Sequence, residues 1–271
     1  EAIDRNNTGT VNAPLWTFNG LGKSYTSGSS LSINQTGEII VATIDGIYLI
    51  EEFIDVFGNT QGRIKWNYIL NNINRQPQSI ARDGTIYLTG GFIDNYKLFA
   101  IKTSPYNANS GLVSWESDSK AIVYGGSVVD KDGNIYICNT TGSILSINSS
   151  GTLIWSKVLQ TVKPSWAPTP AIGANGILYV SIDGEKIDAG GNTIPNTALI
   201  AINKSDGTEL WRWEGSSGSS LQGILRTTNF EGQWPMYGYD YNTKGAVDFY
   251  GTAFSNTYTA DTFLYSDTSK T

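Results

Sequence analysis

The chain has 271 residues, with 18 Lys and Arg against 24 Asp and Glu, so its formal net charge is −6. It has no histidine and one cysteine, which excludes imidazole metal sites, Ser-His-Asp triads and an intrachain disulfide framework. The acidic balance argues against a nucleic-acid partner, and no apolar run of about 18 residues is present to span a bilayer as a helix.

Short apolar runs separated by glycine turns form the first predicted unit. A turn and the run GEIIVA occupy residues 37–42, the run IYLI follows at 47–50, and the pentad GRIKW closes the unit at 62–66. Three more units repeat this order. Their runs lie at 84–89, 98–101 and 111–115, at 133–138, 144–147 and 151–155, and at 176–181, 199–202 and 207–211.

A tryptophan ends every unit, and one more tryptophan precedes the first unit. The repeated positions are Trp16, Trp66, Trp115, Trp155 and Trp211, at steps of 50, 49, 40 and 56 residues. A large apolar ring at the same place in every unit predicts packing between neighbouring sheets rather than a platform for a cofactor.

Periods of this length, with several short strands in each, indicate a propeller. No sustained helical stripe is present, so we expect almost no helix. We predict an all-β fold, a β-propeller of four-stranded antiparallel blades over residues 1–245, with about five blades if the chain closes on itself. The predicted repeats are 29–70, 77–116, 122–159, 168–214 and a partial one at 216–231, followed by a tail at 246–271 that closes the propeller or contacts a partner.

The repeat units resemble a known family. The segments DGTIYLTG, KLFAI and GLVSW, and the unit DGNIYICNTTGSILSINSSGTLIW, resemble the PQQ-like (quinoprotein-type) β-propeller repeat, and GQWPMYGYDYNTKG at 232–245 resembles the segment that flanks such repeats. The resemblance implies the propeller fold. The family includes quinone-dependent dehydrogenases, an outer-membrane assembly lipoprotein that binds peptides, and many exported proteins, so the fold does not select a function.

Quinone chemistry is not expected. The dehydrogenases of this family have an adjacent cysteine pair, whereas Cys138 has no partner thiol and is expected to pack as a small apolar residue. We therefore expect no bound cofactor and no enzymatic activity. A quinone-dependent dehydrogenase, or a hydrolase with carboxylates in a central funnel, remains the enzymatic alternative.

Two acidic segments raise the question of a metal. Asp130 begins the segment DKDGN, where glycine stands fourth rather than sixth, so a hairpin turn is predicted in place of a calcium loop. Asp183, Glu185 and Asp188 lie in an insertion of the fourth unit. Their oxygens are suitable calcium ligands, and a solvated hairpin is the alternative.

Three insertions indicate a binding surface. The segments 51–61, 103–110 and 183–197 are predicted to fall at the same point of the repeat and so to emerge on one propeller face. Four aromatic residues in loops are candidates for contact with a partner. They are Trp166, Tyr106, Tyr237 and Tyr239.

The predicted function is that of a non-catalytic, exported interaction or scaffold module. It would present loops of one face to a protein or glycan partner, at the cell surface, outside the cell or in the periplasm. A structural subunit of a surface layer, filament or virion is the second alternative. In that case the C-terminal tail would mediate self-association by adding a strand to a neighbouring sheet.

Overall fold

The computed structural model describes residues 2–3, 14–18, 30–34, 37–43, 46–69, 78–92, 95–103, 111–119, 123, 126–159, 169–173 and 176–214. Within these ranges the chain forms strands and no helix, so no described segment is a helix able to cross a membrane. The predicted fifth repeat at 216–231 and the tail at 246–271 lie outside the described residues.

Four sheets of four strands account for most of the described chain. The first contains β3 (Ser30–Ile33), β4 (Ile39–Thr43), β5 (Gly46–Ile54) and β6 (Thr60–Ile69), and the second β7 (Ser79–Ile80), β8 (Ile86–Phe92), β9 (Asn95–Thr103) and β10 (Gly111–Asp118). The third contains β11 (Val128–Val129), β12 (Ile135–Cys138), β13 (Ser143–Ile147) and β14 (Leu153–Val158). The fourth contains β15 (Ala171–Ile172), β16 (Ile177–Ile187), β17 (Thr193–Asn203) and β18 (Glu209–Glu214). Two short strands, β1 (Ala2–Ile3) and β2 (Pro14–Trp16), form a separate pair.

Every sheet is an antiparallel meander in which chain order equals spatial order. We letter its strands A to D along the chain. Each sheet corresponds to one predicted repeat, with the second ending at Asp118, two residues past the predicted bound, and the predicted all-β propeller-type blades are confirmed.

Both faces of the inner strands are buried, which explains why they read as continuous apolar runs. All four residues of β12 are buried. In the second sheet Ile86 and Leu88 pack against the first sheet, whereas Tyr87 between them packs against the third. A lone sheet would expose both of these faces, so each blade depends on its neighbours. Cys138 is 2% exposed in the core shared by the third and fourth sheets, as predicted.

A β-bulge precedes the repeated tryptophan in all four sheets. The register between strands C and D shifts so that one residue is left over immediately before the ring. Those residues are Lys65, Ser114, Ile154 and Leu210. A bulge bends its strand and re-aims the next side chain, and here it accompanies every tryptophan that meets a neighbouring sheet.

Each tryptophan lies where the glycine of the next unit leaves room. A Cβ built on Gly111 would stand 2.7 Å from Cζ3 of Trp66, and one on Gly207 would stand 2.7 Å from Cε3 of Trp155. The same holds for Gly151 beside Trp115 and for Gly62 beside Trp16. The pentad therefore links consecutive sheets, because its glycine receives the ring of the preceding sheet and its own ring reaches the following one. The prediction that the rings pack between sheets is confirmed for these four.

A second row of side chains supports the rings from within each sheet. Tyr136 lies opposite Ser146, which lies opposite Trp155, and the two aromatic rings are 6.0 Å apart. The second and fourth sheets repeat the arrangement with alanine in the middle, at 5.7 and 6.1 Å. The small middle residue lets the two rings meet. In the first sheet Ile40 and Leu49 occupy the first two places, so a larger middle residue accompanies a smaller first one.

Candidate functional site

The long hairpins do not all lie at one end of their sheets. Within a meander the A–B and C–D connections share one end, and the B–C connection lies at the other. Segments 51–61 and 103–110 fall on C–D connections, whereas 183–197 falls on the B–C connection between β16 and β17. The prediction that all three insertions occupy the same point of the repeat is therefore wrong. It failed because the fourth unit lengthens the hairpin before its C strand, not after it.

The hairpin of the first sheet, residues 51–61, is a regular two-stranded ribbon with a tight turn. Glu51 pairs with Arg63, and Ile54 pairs with Thr60 at the last rung. The backbone N–H of Gly58 donates to the carbonyl of Asp55, and the N–H of Asp55 donates to that of Asn59. Gly58 has a φ of 83°, a conformation that glycine adopts without penalty.

The side chain of Asp55 holds this turn from inside. Its Oδ1 accepts hydrogen bonds from the backbone N–H groups of Phe57 at 2.8 Å and Asn59 at 2.9 Å. Its Oδ2 accepts from the side-chain amide of Gln61 at 2.7 Å. The N–H of Asn59 makes the largest contribution to lowering the pKa of Asp55 below its ordinary value, so the turn carries a carboxylate at neutral pH.

The apex of this hairpin is apolar and points into solvent. Val56 is 93% exposed, Phe57 is 86% exposed and Ile54 beside them is 72% exposed. The turn bonds described above use the backbone and the Asp55 side chain, so none of them requires these three side chains to be apolar.

The base of the hairpin is fixed to the first sheet by charged and aromatic contacts. The Arg63 guanidinium lies 2.7 Å from Glu51 Oε1 and 4.8 Å from the ring centre of Phe53. Lys65 forms ion pairs with both Glu51 and Glu38. The indole N–H of Trp16 donates to Glu52 at 2.7 Å. Several ties of this kind restrict the ribbon at its root, even though each exposed one contributes little.

The same turn geometry recurs elsewhere in the chain, with a different apex. In each case a first residue accepts from the N–H of a glycine three places on and donates to the carbonyl four places on. In the five of these turns whose apex residues the structure describes, the two apex residues are Lys131 and Asp132, Thr140 and Thr141, Ser149 and Ser150, Arg82 and Asp83, or Ala189 and Gly190. All are polar or small, so the apolar pair at 56–57 departs from the pattern. The sequence contained this signal, because comparing the apex positions of the glycine turns shows it without coordinates.

The predicted calcium ligands lie on the B–C hairpin of the fourth sheet. Asp183 and Glu185 belong to β16, opposite Thr197 and Pro195 of β17. Asp188 begins the turn, where its Oδ1 accepts 2.8 Å hydrogen bonds from the N–H groups of Gly190 and Asn192. The N–H of Asn192 makes the largest contribution to lowering the pKa of Asp188.

Asp188 therefore stabilises a hairpin turn, which is the structure predicted as the alternative to a metal site. Among the residues whose side chains the structure describes, no group of three His, Cys, Asp or Glu could hold a metal ion. The side chain of Asp183 is not among them, so the calcium hypothesis stays a prediction. Lys186 ties this hairpin to Glu214 of β18 at 2.5 Å.

The segment beginning at Asp130 is a hairpin turn, as predicted. Oδ1 of Asp130 accepts from the N–H groups of Asp132 and Asn134. The side chain is fully buried, and its Oδ2 lies 3.1 Å from the Tyr136 hydroxyl and 3.3 Å from Lys204 Nζ. Burial, and next the charge of Asp130, raise the pKa of Tyr136 above its ordinary value.

Lys204 belongs to the fourth sheet's C–D turn, and its carbonyl accepts from the Trp155 indole at 3.0 Å. The cluster thus ties the third sheet to the fourth.

The other predicted contact residues are distributed differently. Trp166, Tyr106, Tyr237 and Tyr239 lie outside the described residues. Trp211, the last of the repeated tryptophans, is 37% exposed and contacts the ring of Tyr179 in its own sheet. The described candidate surface therefore consists of the two long hairpins, and the apolar apex at 56–57 is the residue pair that sequence reasoning missed.

The chain is similar to one known protein family and to several solved structures. Residues 104–230 match the family model PQQ_2, described as outer membrane protein assembly factor BamB. No curated protein matches the sequence. Among solved structures, BamB from Moraxella catarrhalis is similar at 14% identity and a TM-score of 0.39, over 69% of this chain and 64% of that one. The quinohemoprotein alcohol dehydrogenase from Comamonas testosteroni is similar at 16% identity and a TM-score of 0.43, over 73% of this chain and 37% of that one.

This chain thus spans less than two thirds of either solved protein, and likeness at this level does not transfer a function. The likeness to this family rests on the matched model together with the glycine–tryptophan units and the four-stranded sheets. Residues 104–230 are similar to the PQQ-like repeat family, and the described sheets are those expected from that resemblance.

Proposed function

We propose that this chain is a non-catalytic, exported interaction module whose blades hold long hairpins in place for a protein partner. The observation that supports it most directly is the hairpin at 51–61. It continues the ladder of the first sheet past the pentad glycine, Gly62, to a turn whose two apex side chains, Val56 and Phe57, are exposed to solvent. Rigid ribbons with exposed ends suit recognition better than they suit chemistry, because binding loops on a fixed scaffold lose little conformational entropy on association.

The family match supports the same direction. The matching model is described as an outer membrane protein assembly factor, a description that names a role with other proteins and a place outside the cytoplasm. The acidic net charge of −6 and the single buried cysteine are compatible with an exported protein.

A photo-crosslinking experiment on the purified full chain tests the proposal. Benzoylphenylalanine replaces Phe57 at the tip of one hairpin, Ala189 at the tip of the other, and Thr140 at the tip of a short turn as the control. Each protein is irradiated in a cell-envelope extract of the organism that makes it. We expect a discrete protein adduct from at least one long hairpin and none from position 140. Equal labelling at all three positions, or none at any, contradicts the proposal.

A native mass spectrum of the protein isolated from its source tests the absence of a cofactor. We expect the mass of the bare chain, alone or with a partner protein. An added mass of a few hundred daltons together with a quinone absorbance band would instead support the dehydrogenase alternative.

A further inference from the structure

We propose that the apex of the 51–61 hairpin is a docking knob, and that its partner is a protein with an apolar pocket rimmed by Lys or Arg. Val56 and Phe57 would enter the pocket, with Ile54 at its edge. This inference rests on the proposed function, since it names the chemistry of the partner for one of the two hairpins.

Folding does not account for the apolar apex. Five other turns with the same backbone hydrogen bonds, those whose apex residues the structure describes, place polar or small residues at the two apex positions. Closest is the turn Asn148–Thr152, where Ser149 and Ser150 occupy the apex and Oδ1 of Asn148 accepts from the N–H groups of Ser150 and Thr152. A serine pair therefore satisfies this geometry on the C–D turn of another blade.

Exposure at the apex is extreme for such residues. Phe57 and Val56 are more exposed than the other large hydrophobic side chains of the described chain, at 86% and 93%. Scattered exposed apolar residues are normal on protein surfaces. Three of them at one rigid tip, two adjacent at the apex, form a protruding anchor of the kind that fills a pocket at an interface.

Charge complementarity selects the partner. The hairpin at 51–61 contains three carboxylates and no Lys or Arg. The charge of Glu51 is balanced by Arg63 and Lys65. Asp55 receives its hydrogen bonds from neutral amides, and Glu52 receives one from the neutral indole of Trp16. Asp55 and Glu52 thus place uncompensated negative charge beside the exposed apex. This charge favours a partner whose pocket is rimmed by Lys or Arg, and it disfavours an anionic membrane surface.

The test begins with the crosslink from Phe57 in the envelope extract. Its site on the captured protein is mapped by mass spectrometry, and that protein is then purified for equilibrium binding to the full chain. The proposal requires the mapped site to be apolar and flanked by Lys or Arg. It also requires the dissociation constant to rise at least about tenfold in the variant V56S/F57S, because anchor side chains dominate binding energy at interfaces.

Three variants separate the contribution of the apex to binding from its contribution to folding. V56S/F57S copies the apex of the 149–150 turn and should leave the urea unfolding midpoint unchanged. S149V/S150F places a second apolar pair on a turn of the third sheet. The partner should not bind at this second pair. D55N keeps an Oδ1 acceptor for the turn, as Asn148 does, but removes the charge. It should weaken binding about twofold to tenfold, with a smaller salt dependence.

Binding to vesicles of neutral phosphatidylcholine, with and without phosphatidylglycerol, tests whether the apex contacts a membrane instead of a protein. Phe57-dependent binding to either vesicle, in place of a protein adduct, would overturn the proposal in favour of a membrane contact. A crosslink that maps to a polar or acidic site would overturn it as well. If the crosslinker at position 189 captures a protein and the one at position 57 captures none, the docking role of the 51–61 apex is rejected. The proposal of an interaction module is then still supported. If neither captures one, both proposals fail.

Discussion

Trp115 of the second sheet lies over Gly151 of the third, so closely that a Cβ on that glycine would stand 2.7 Å from the ring atom Cε3. The same indole donates its N–H to the carbonyl of Ser149 at 2.8 Å. One ring thus makes both a steric and a polar contact with the next C–D turn. Trp155 repeats the arrangement with Gly207 and Lys204, so the repeat encodes its own connection to the following blade.

Substituting alanine at Gly111 tests this packing. The new methyl group would stand 2.7 Å from Cζ3 of the buried Trp66, so the ring or the strand must move. We expect a loss of about 1–3 kcal/mol in the free energy of unfolding, the range typical of overpacked cores. Urea denaturation measures it.

Gly37→Ala provides the contrasting case, in which an added methyl group causes backbone strain without a steric clash. Gly37 has a φ of 83° and nothing within 4 Å of an added Cβ, so its cost is that of a left-handed alanine, about 1 kcal/mol. Combining G111A with W66L, which removes the ring, should make the G111A step less costly. Strict additivity of the two changes would contradict the packing account.

Lys204→Met tests the buried tie between the third and fourth sheets. It leaves the fully buried carboxylate of Asp130 with neutral donors only. We expect a loss of about 2 kcal/mol, since an uncompensated buried charge is costly but retains these hydrogen bonds. Adding D130N to K204M should recover part of that loss in urea denaturation. A K204M protein as stable as the parent would show that the ion pair contributes nothing.

The phenol of Tyr87 predicts a loss of stability at high pH. Burial raises the pKa of Tyr87 to about 12 from the ordinary tyrosine value of 10.0. Between these values the folded chain keeps the proton that the unfolded chain releases, so the free energy of unfolding falls as pH rises. The fall reaches about 2–3 kcal/mol at most. Below pH 10 the group has no such effect.

Tyr87→Phe isolates this contribution. The variant keeps a ring beside Trp115 but has no proton to release, so its stability should fall less steeply above pH 10 than that of the parent. The comparison cancels the titration of lysines common to both proteins. Parallel curves for the two proteins would refute the assignment.

Cys138 should be chemically inert in the folded protein. It is 2% exposed, and burial raises the pKa of its thiol, so reactive thiolate is absent near neutral pH. We expect a thiol reagent such as DTNB to modify the chain only as fast as it unfolds, and to titrate one thiol in concentrated urea. Rapid labelling without denaturant would indicate local opening of the third sheet.

The repeat architecture was readable from the sequence because it depends on a period. Apolar runs between glycine turns, each ending in a tryptophan, predicted four-stranded blades and the packing of the rings, and residues such as Ile135 and Trp66 lie where that pattern requires. The partner of each ring was not readable. It is the glycine about 45 residues ahead, and only the stacking of sheets brings Gly111 to Trp66.

The candidate site was predicted less well. The sequence pointed to the long hairpins, but it placed the Asp183–Thr197 insertion at the wrong end of its sheet, because counting residues within a unit does not say which strands a loop joins. It also directed attention to aromatic residues such as Tyr237 and Trp166 in irregular segments. Phe57 was overlooked because it sits inside a turn whose glycine and aspartate look purely structural.

The shared turn separates two kinds of position. In most of these turns an Asp or Asn at the start and a glycine three places on satisfy the backbone, and the two residues between them face solvent, whereas the turn at Ala81 uses the apex residue Asp83 as its acceptor. Substitutions at that pair should change the free energy of unfolding little. They can therefore accumulate and change the surface of the protein without changing its blades. Relatives with the same blades could therefore recognise unrelated molecules. Comparing turn apices would then classify these proteins by binding behaviour more sharply than comparing their strands.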